Sequence, residues 1–432
     1  MHFFKYLAPI MTTLLIAGCT SDGGGLNRAE TEDPTPSGST THAKVDYSKG
    51  RAMNARLGKG INLGNAWDGN SYWSCGTLSE GDDFVYTING VEHKITLTSS
   101  DKSFFGNLPA ERYNYTCNDG LDAGWGNPIQ DEYFALLKQA GFNSVRIPVR
   151  WQHNSNPVTH AVNPDRLAGV LQDVQLAINA GLAVVVSFHW YFEIMFAANK
   201  AKDYPDLYEF EKEHYASIWG QVAAAFEAAG IPDDMIVYDL LNEPTFTSAD
   251  RMNEVLNLGY NAIRAVAPGK TIMFESKQSA KFAEITSLEL PKDGNIIYSG
   301  HYYEPYGFTH QGHSYACQGD AAYSMTASSD FKNYVTTIKK LYPDTVSGMY
   351  VPVNMGEFGV SGGESANKSS CKSGTTPPSN AMKAKWAKGA IAAAESYGMS
   401  WHYWGFAGVG GFEAYDKKAG TWLEGFPEAF GF

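Results

Sequence analysis

The chain has 432 residues, a formal net charge of −13 and 13% aromatic residues. This length suits one large α/β domain or two smaller ones. The negative charge, without any basic cluster, argues against nucleic acid as a partner and against electrostatic attachment to anionic lipid.

The N-terminus has the pattern of an export signal. Residues 6–17 form an apolar segment too short to span a bilayer, and Leu15-Ile16-Ala17-Gly18-Cys19 resembles a bacterial lipobox. We therefore expect residues 1–19 to be a lipoprotein signal, with Cys19 as the lipid anchor and only membrane contact. The protein would be exported to the bacterial cell envelope, at the outer membrane or cell surface. A plain secretory signal is the alternative.

Residues 20–44 are rich in Gly, Ser, Thr, Pro and Asp and have almost no large apolar side chains. Such a segment cannot bury enough surface to fold, so we predict a flexible linker. A catalytic domain would then occupy residues 45–432.

Four further cysteines fit an exported protein with two disulfides: Cys75, Cys117, Cys317 and Cys371. Three pairings are open, and we favour Cys75–Cys117 and Cys317–Cys371, because each pair would staple loops on one side of the molecule. The spacings match no zinc pattern, and we expect no metal.

Apolar segments alternate with helical patterns from about residue 57 onward. Continuous apolar runs are typical of strands covered on both faces, as in a parallel sheet. The predicted strands are 59–63, 143–149, 183–189, 235–242, 271–275, 295–301, 351–357 and 401–404. The main predicted helices are 131–140, 164–180, 209–229, 250–267, 330–341 and 380–397, with a short one near 279–285. Eight such units favour an α/β fold, a closed (β/α)₈ barrel (TIM barrel), over an open sheet.

One insertion interrupts this alternation at residues 68–124. It contains Asn89-Gly90 between two alternating segments spanning residues 84–97, which is a strong β-hairpin signal. Because it follows the first predicted strand, we expect it at the carboxyl-end face, where barrels keep their active sites.

Polar or ionisable residues stand at the carboxyl ends of most predicted strands. They are Arg146, His189, Asn242, Glu243, His301, Tyr303, Glu357 and Trp404. Each alone is more often structural, but together they form a ring around one barrel mouth. Paired carboxylic acids are the groups that glycosidic bond cleavage requires.

The chain resembles glycoside hydrolase family 5, the cellulase-like members of the retaining (β/α)₈ hydrolases, from about residue 55 to 410. The matching segments are 60–65, 145–148, 188–189, 241–244, 301–303, 356–359 and 403–404. The insertion and Trp190 are not part of the family pattern.

The resemblance implies Glu243 as acid/base and Glu357 as nucleophile. Arg146 would keep Glu357 ionised, Tyr303 would donate to it, and His301 would hold Glu243. Asn242 would bind the sugar 2-hydroxyl, His189 other hydroxyls, and Trp404 would form a stacking floor. The further stacking candidates are Trp67, Trp73, Trp125, Trp151 and Trp190, of which Trp190 and Trp67 are favoured by position; Trp219 and Trp386 are expected in the core.

We expect a monomeric, cofactor-free retaining endo-β-1,4-glucanase acting on a β-linked polysaccharide or oligosaccharide. Mannanase, xyloglucanase, mixed-linkage glucanase and exo-acting glucanase are the alternatives within the family. A non-catalytic carbohydrate-binding surface lipoprotein is the alternative from another class.

Overall fold

Twelve strands are present in the part of the chain that the computed structural model describes, residues 43–69, 76–105, 107–109, 126–156, 158–311, 318–362 and 376–432. They are β1 (Lys59–Asn62), β2 (Asp83–Ile88), β3 (Val91–Thr96), β4 (Ser144–Val149), β5 (Ala183–Phe188), β6 (Ile236–Asp239), β7 (Thr271–Glu275), β8 (Ile296–Tyr302), β9 (Val353–Phe358), β10 (Ser400–Tyr403), β11 (Tyr415–Asp416) and β12 (Thr421–Trp422). Eight of them close a parallel barrel in the order β1-β10-β9-β8-β7-β6-β5-β4, which confirms the predicted fold class.

Eleven helices are present among the described residues, most of them on the outside of this barrel. They are α1 (Ser48–Leu57), α2 (Asp131–Gln139), α3 (Pro164–Asn179), α4 (Phe192–Lys200), α5 (Pro205–Ala228), α6 (Ala249–Val266), α7 (Lys277–Ala280), α8 (Tyr306–Thr309), α9 (Ala327–Leu341), α10 (Asn380–Glu395) and α11 (Phe426–Phe430). The start of α3 shows how the sequence sets a boundary: the Asn163 side chain accepts from the N–H of Asp165 (2.9 Å), and Pro164 occupies the first turn.

The barrel interior is layered because successive strand residues point to opposite faces. Its amino end is filled by an apolar cluster comprising Met53, Leu57, Ala183, Val185, Val237, Met273 and Ile297, in which α1 supplies the first two residues. Two positions further along β6 and β7, the same face carries Asp239 and Glu275, both fully buried. An apolar floor therefore supports a polar layer directly beneath the barrel mouth.

The described part of the insertion packs beside that mouth. Asn89 and Gly90 have φ values of 52° and 78° and connect β2 to β3, as the hairpin signal predicts. The Phe84 ring on β2 lies 5.1 Å from that of Phe196 on α4, and Lys200 forms an ion pair with Asp101 (2.6 Å). Since α4 follows directly on the carboxyl end of β5, the hairpin borders the active-site face.

The secondary-structure predictions differ from the structure mainly in extent. The helix predicted at 209–229 begins earlier, at Pro205, and the helical turn predicted near 279–285 is a 3₁₀ segment at Phe282–Ser287. The helices α1 and α4 were not predicted. Among the described residues, no helix has the length and apolarity needed to cross a bilayer.

Candidate active site

Glu357, at the end of β9, is held by the two donors that the sequence predicted for it. Arg146 Nη1 donates to Oε1 (2.7 Å) and the Tyr303 hydroxyl donates to Oε2 (3.1 Å). His301 Nδ1 lies 3.6 Å from Oε2. The side chain is 6% exposed. These contacts fix the carboxylate with one oxygen facing a cation and the other facing a phenol.

A register shift in β9 aims Glu357 into the mouth. Gly300 of β8 pairs with Met355, but the next residue, His301, pairs with Glu357, so Gly356 is the extra residue of a bulge. A Cβ on Gly356 would lie 2.4 Å from Ser299 Oγ, so only glycine fits. Gly356 thus forms the bulge that directs the Glu357 side chain into the mouth.

Glu243, beyond β6, faces Glu357 and has partners of its own. Its Oε2 accepts from Trp190 Nε1 (3.1 Å), and its Oε1 lies 3.1 Å from His301 Nδ1. Its backbone takes a φ of 50°, and its N–H donates to Glu275 Oε2 (2.7 Å). With 20% of its side chain exposed, Glu243 is the more accessible of the two acids.

One oxygen of Glu243, one oxygen of Glu357 and one nitrogen of His301 all lie within 4.8 Å of one another. This spacing resembles the roughly 5–5.5 Å of two carboxylates that act on one sugar carbon, and is shorter than the about 6.5–9.5 Å needed to seat a water between them. The trio has donor atoms that could hold a metal ion. However, the surrounding carboxylates favour a protonated His301, which donates hydrogen bonds and does not ligate.

Electrostatics distinguish the groups at this mouth. Burial raises the pKa of Glu357 to about 7, while the charges of His301 and Arg146 act in the opposite direction. Burial lowers the pKa of His301, but Glu357, Glu275 and hydrogen bonds to Glu243 and Glu275 outweigh it, so that this pKa lies well above its usual value. The mouth therefore contains two cations between its carboxylates, the Arg146 guanidinium and the protonated His301 ring.

A buried polar layer lies beneath the two glutamates, and the sequence predicted only part of it. Arg146 donates to Asn242 Oδ1 (2.6 Å), to Asp239 Oδ2 (2.9 Å) and to Asn62 Oδ1 (3.0 Å), as well as to Glu357. Asp239, Glu275 and Asn62 were not singled out from the sequence. The available signal was alternation: Asp239 and Glu275 continue the inward face of Val237 and Met273.

His189 and Trp404 form one wall of the site. Their rings are parallel, with an interplanar angle of 3° and centroids 5.8 Å apart, and Trp404 is 8% exposed. Neither His189 ring nitrogen, nor Asn242 Nδ2, has a hydrogen-bond partner among the described residues. These buried polar atoms at the mouth remain available to substrate hydroxyls.

Trp67 does not join this group, which corrects the expectation that it stacks on substrate. Its Nε1 donates to Asp173 Oδ2 on α3 (2.6 Å), and the Arg166 guanidinium lies 4.9 Å from its ring. With 4% exposure, it packs against the outer helix and away from the mouth. Trp151 is likewise fully buried, and Trp219 and Trp386 lie in the core as predicted.

Several sequence predictions concern residues outside those that the structure describes. They are Cys19, Cys75, Cys117, Cys317, Cys371, Trp73 and Trp125. The lipid anchor and both disulfides therefore stay predictions.

The parallel (β/α)₈ barrel, with two facing glutamates at its carboxyl end, defines a glycoside hydrolase of the two-carboxylate type. The family model described as cellulase (glycosyl hydrolase family 5) matches residues 107–408, well over half of the chain. The chain belongs to this family.

Individual relatives are distant and differ in length. Endoglucanase A of Paenibacillus barcinonensis is 26% identical over 348 residues, covering 73% of this chain and 83% of the relative. Cellodextrinase A of Ruminococcus flavefaciens is 28% identical over 191 residues, and Endoglucanase H of Acetivibrio thermocellus is 25% identical over 195. The matched regions span 54% and 20% of the lengths of these last two proteins.

Solved structures agree on the fold. A hyperthermophilic endo-β-1,4-glucanase in complex with substrate superposes with a TM-score of 0.62 at 24% identity, covering 88% of this chain and 99% of that chain. Thermotoga maritima Cel5A in complex with mannotriose gives 0.61 at 23% identity, covering 88% and 99%. At this identity the likeness shows the barrel architecture.

Proposed function

We propose that the protein is an endo-β-1,4-glucanase that cleaves its substrate by double displacement with retention. The observation that carries this proposal is the pair Glu243 and Glu357, with oxygens within 4.8 Å and with different partners on each. The names of the relatives, endoglucanase and cellodextrinase, point to the same substrate class.

In the proposed first step, Glu357 is the nucleophile and Glu243 is the acid. A Glu357 oxygen attacks the anomeric carbon, and the bond from that carbon to the leaving oxygen breaks as Glu243 gives its proton to this oxygen. Arg146 and Tyr303 orient the attacking carboxylate, which must be ionised at this point.

The second step reverses the roles. Water attacks the anomeric carbon, Glu243 accepts the water proton, and the bond to Glu357 breaks. The amide of Asn242, oriented through Arg146, has a free donor for the sugar 2-hydroxyl. Trp404 supplies an apolar ring face beside His189. A hydrogen bond to the 2-hydroxyl strengthens as the transition state forms.

The test is hydrolysis of barley β-glucan and carboxymethylcellulose by the wild type, Glu357→Ala and Glu243→Ala. We expect both variants to lose at least about 10³-fold in kcat, and Glu132→Ala, an exposed glutamate on α2, to match the wild type. Azide should partly restore Glu243→Ala on an activated aryl cellobioside, because that leaving group needs no acid and azide, unlike water, attacks the anomeric carbon without a base as the bond to Glu357 breaks. A folded wild type inert on every β-glucan and β-mannan would refute the hydrolase assignment and favour a carbohydrate-binding surface protein.

Analysis of the reaction products identifies the preferred substrate and the mode of cleavage. Defined cello-, manno-, xyloglucan and mixed-linkage oligosaccharides should show internal cleavage of β-1,4-glucose chains. Release of a single short product from one chain end would instead identify an exo-acting enzyme, for which the insertion beside the mouth would form a wall.

We further propose that residues 1–19 direct export, that Cys19 is lipidated and that residues 20–44 tether the catalytic domain to the envelope. The apolar segment and lipobox pattern support this. Cys19→Ala should shift the protein from the membrane fraction to the soluble exported fraction. Peptide mapping without reduction should find Cys75–Cys117 and Cys317–Cys371, and crossed pairs would overturn this pairing.

A further inference from the structure

We infer that Glu275 is a positioning residue of the catalytic centre, holding both the backbone of Glu243 and the ring of His301 so that His301 Nδ1 faces the two catalytic glutamates. This inference rests on the proposed function for its consequences in catalysis. Its geometric part does not depend on the substrate.

Glu275 ends β7, beside β6 and β8 in the barrel, and is fully buried. Its Oε2 accepts from the Glu243 backbone N–H (2.7 Å), and its Oε1 lies 3.1 Å from His301 Nε2 and 3.4 Å from Arg146 Nη2. One carboxylate thus connects the backbone of Glu243 with His301 and Arg146, which contact the catalytic carboxylates.

The contact to the Glu243 backbone stabilises an uncommon conformation. Glu243 has a φ of 50°, in the left-handed region that residues other than glycine sparsely populate. A charged acceptor on its N–H compensates for that conformation and fixes the direction in which the acid leaves the strand.

The contact to His301 determines what the ring can do. With Nε2 directed at Glu275, the ring presents Nδ1 to Glu243 Oε1 at 3.1 Å and to Glu357 Oε2 at 3.6 Å. Because Glu275 keeps the His301 ring charged, Nδ1 can donate a hydrogen bond to either catalytic glutamate. The negative charge alternates between the two glutamates during double displacement, and the ring donates to the one that carries it.

Several charged or titratable groups surround His301. They are Glu243 beyond β6, Glu275 on β7, Glu357 on β9, Arg146 on β4 and His189 beyond β5. Burial opposes ionisation of Glu275, but the charge of His301 holds the pKa of Glu275 below its usual value. The two groups therefore form a stable ion pair across neighbouring strands.

The barrel offers a matched control in Asp239. Asp239 and Glu275 are both fully buried, end neighbouring strands and contact Arg146. Among the described residues, only Glu275 of these two contacts His301 or the backbone of Glu243. Glu275→Gln and Asp239→Asn are therefore isosteric changes that each remove one buried ionisable carboxyl but differ in their link to His301.

The test uses the full chain with ¹⁵N-labelled histidine, and the His301 signals are assigned with His301→Gln. We expect His301 to stay an imidazolium, in the wild type and in Asp239→Asn, at pH values well above its ordinary pKa of about 6.5. In Glu275→Gln it should titrate at least one pH unit lower than in the wild type. A wild-type His301 that titrates near 6.5, its ordinary value, or a Glu275→Gln variant with an unchanged His301, overturns the inference. Even if Glu275→Gln does not fold, a wild-type His301 that titrates near its ordinary value overturns the inference.

Kinetics give the second readout. Glu275→Gln should lower kcat on cellotetraose by about 10- to 100-fold, with a smaller loss on an aryl cellobioside whose leaving group needs no acid. Equal loss on both substrates at unchanged His301 titration would indicate a merely structural role. A wild type inactive on β-glucans would refute the proposed function, while the titration would still test Glu275.

Discussion

Replacing Trp190 with Phe tests how the acid/base Glu243 is tuned. The change removes the indole N–H that donates to Glu243 Oε2 (3.1 Å) and keeps an aromatic ring at the position. A hydrogen bond to a charged group contributes about 1.5–3 kcal/mol. Because Trp190 is half-buried, the lower value applies, and about 1.4 kcal/mol corresponds to a tenfold change in rate. The bond helps to hold the Glu243 carboxyl in position, so its loss should weaken proton transfer to the leaving oxygen.

We therefore expect kcat on cellotetraose to fall by up to about tenfold in Trp190→Phe. A dinitrophenyl cellobioside, whose leaving group needs no acid, should be hydrolysed at nearly the wild-type rate. Trp404→Phe is the matched control, since Trp404 makes no hydrogen bond to either glutamate among the described residues. It should slow the hydrolysis of both substrates to a similar extent. An equal loss on both substrates in Trp190→Phe, or no loss on cellotetraose, would refute this reasoning.

Two further predictions follow from the contacts of Arg146 and Trp67. The nucleophile must be ionised and the pKa of Glu357 is raised by burial to about 7, so kcat/KM should rise with pH up to that region. In Arg146→Lys this acidic limb should move higher, because the 2.7 Å contact is lost or lengthened; a limb that moves lower would contradict the assigned role. Trp67→Phe removes the buried bond to Asp173 and should lower the free energy of unfolding by about 1–3 kcal/mol, with KM unchanged. If KM rises in Trp67→Phe while the free energy of unfolding is unchanged, Trp67 contacts the substrate and its assignment to the core is wrong.

The barrel and the catalytic pair were predictable because both depend on local patterns. Runs such as Ala183–Phe188 are apolar except for Ser187, and the glutamates stand at the ends of runs of this kind, so strand direction alone brings them to one mouth. The same patterns could not show that Trp67 and Trp190 point in different directions. Both follow strand ends, but the direction of their rings is set by loop backbone, including a φ of 52° at Trp190, which no periodicity reports.

Glu275 and Asp239 could not be predicted as site residues from the sequence, for a different reason. Each is the last residue of its strand, where an acid resembles the polar boundary of an element, and only pairing with neighbouring strands shows that it points inward. Their ion partner Arg146 comes from β4, more than ninety residues earlier in the chain. Such partnerships depend on barrel closure, and one sequence does not report them.

The buried charges of the polar layer have a cost in stability that Asp239→Asn measures. Burial, and then the charge of Glu275, raise the pKa of Asp239 from 3.8 to about 7, although Arg146 and Ser187 lower it. The folded state thus binds this proton more tightly than the unfolded chain, so the free energy of unfolding falls as pH rises from about 4 to about 7. At about 1.36 kcal/mol per pH unit, the fall is at most about 4 kcal/mol. Asp239→Asn cannot ionise, so urea unfolding between pH 4 and 8 should show a stability difference, variant minus wild type, that grows with pH. A difference that shrinks with pH would mean that Arg146 keeps Asp239 ionised and that the polar layer stabilises the barrel.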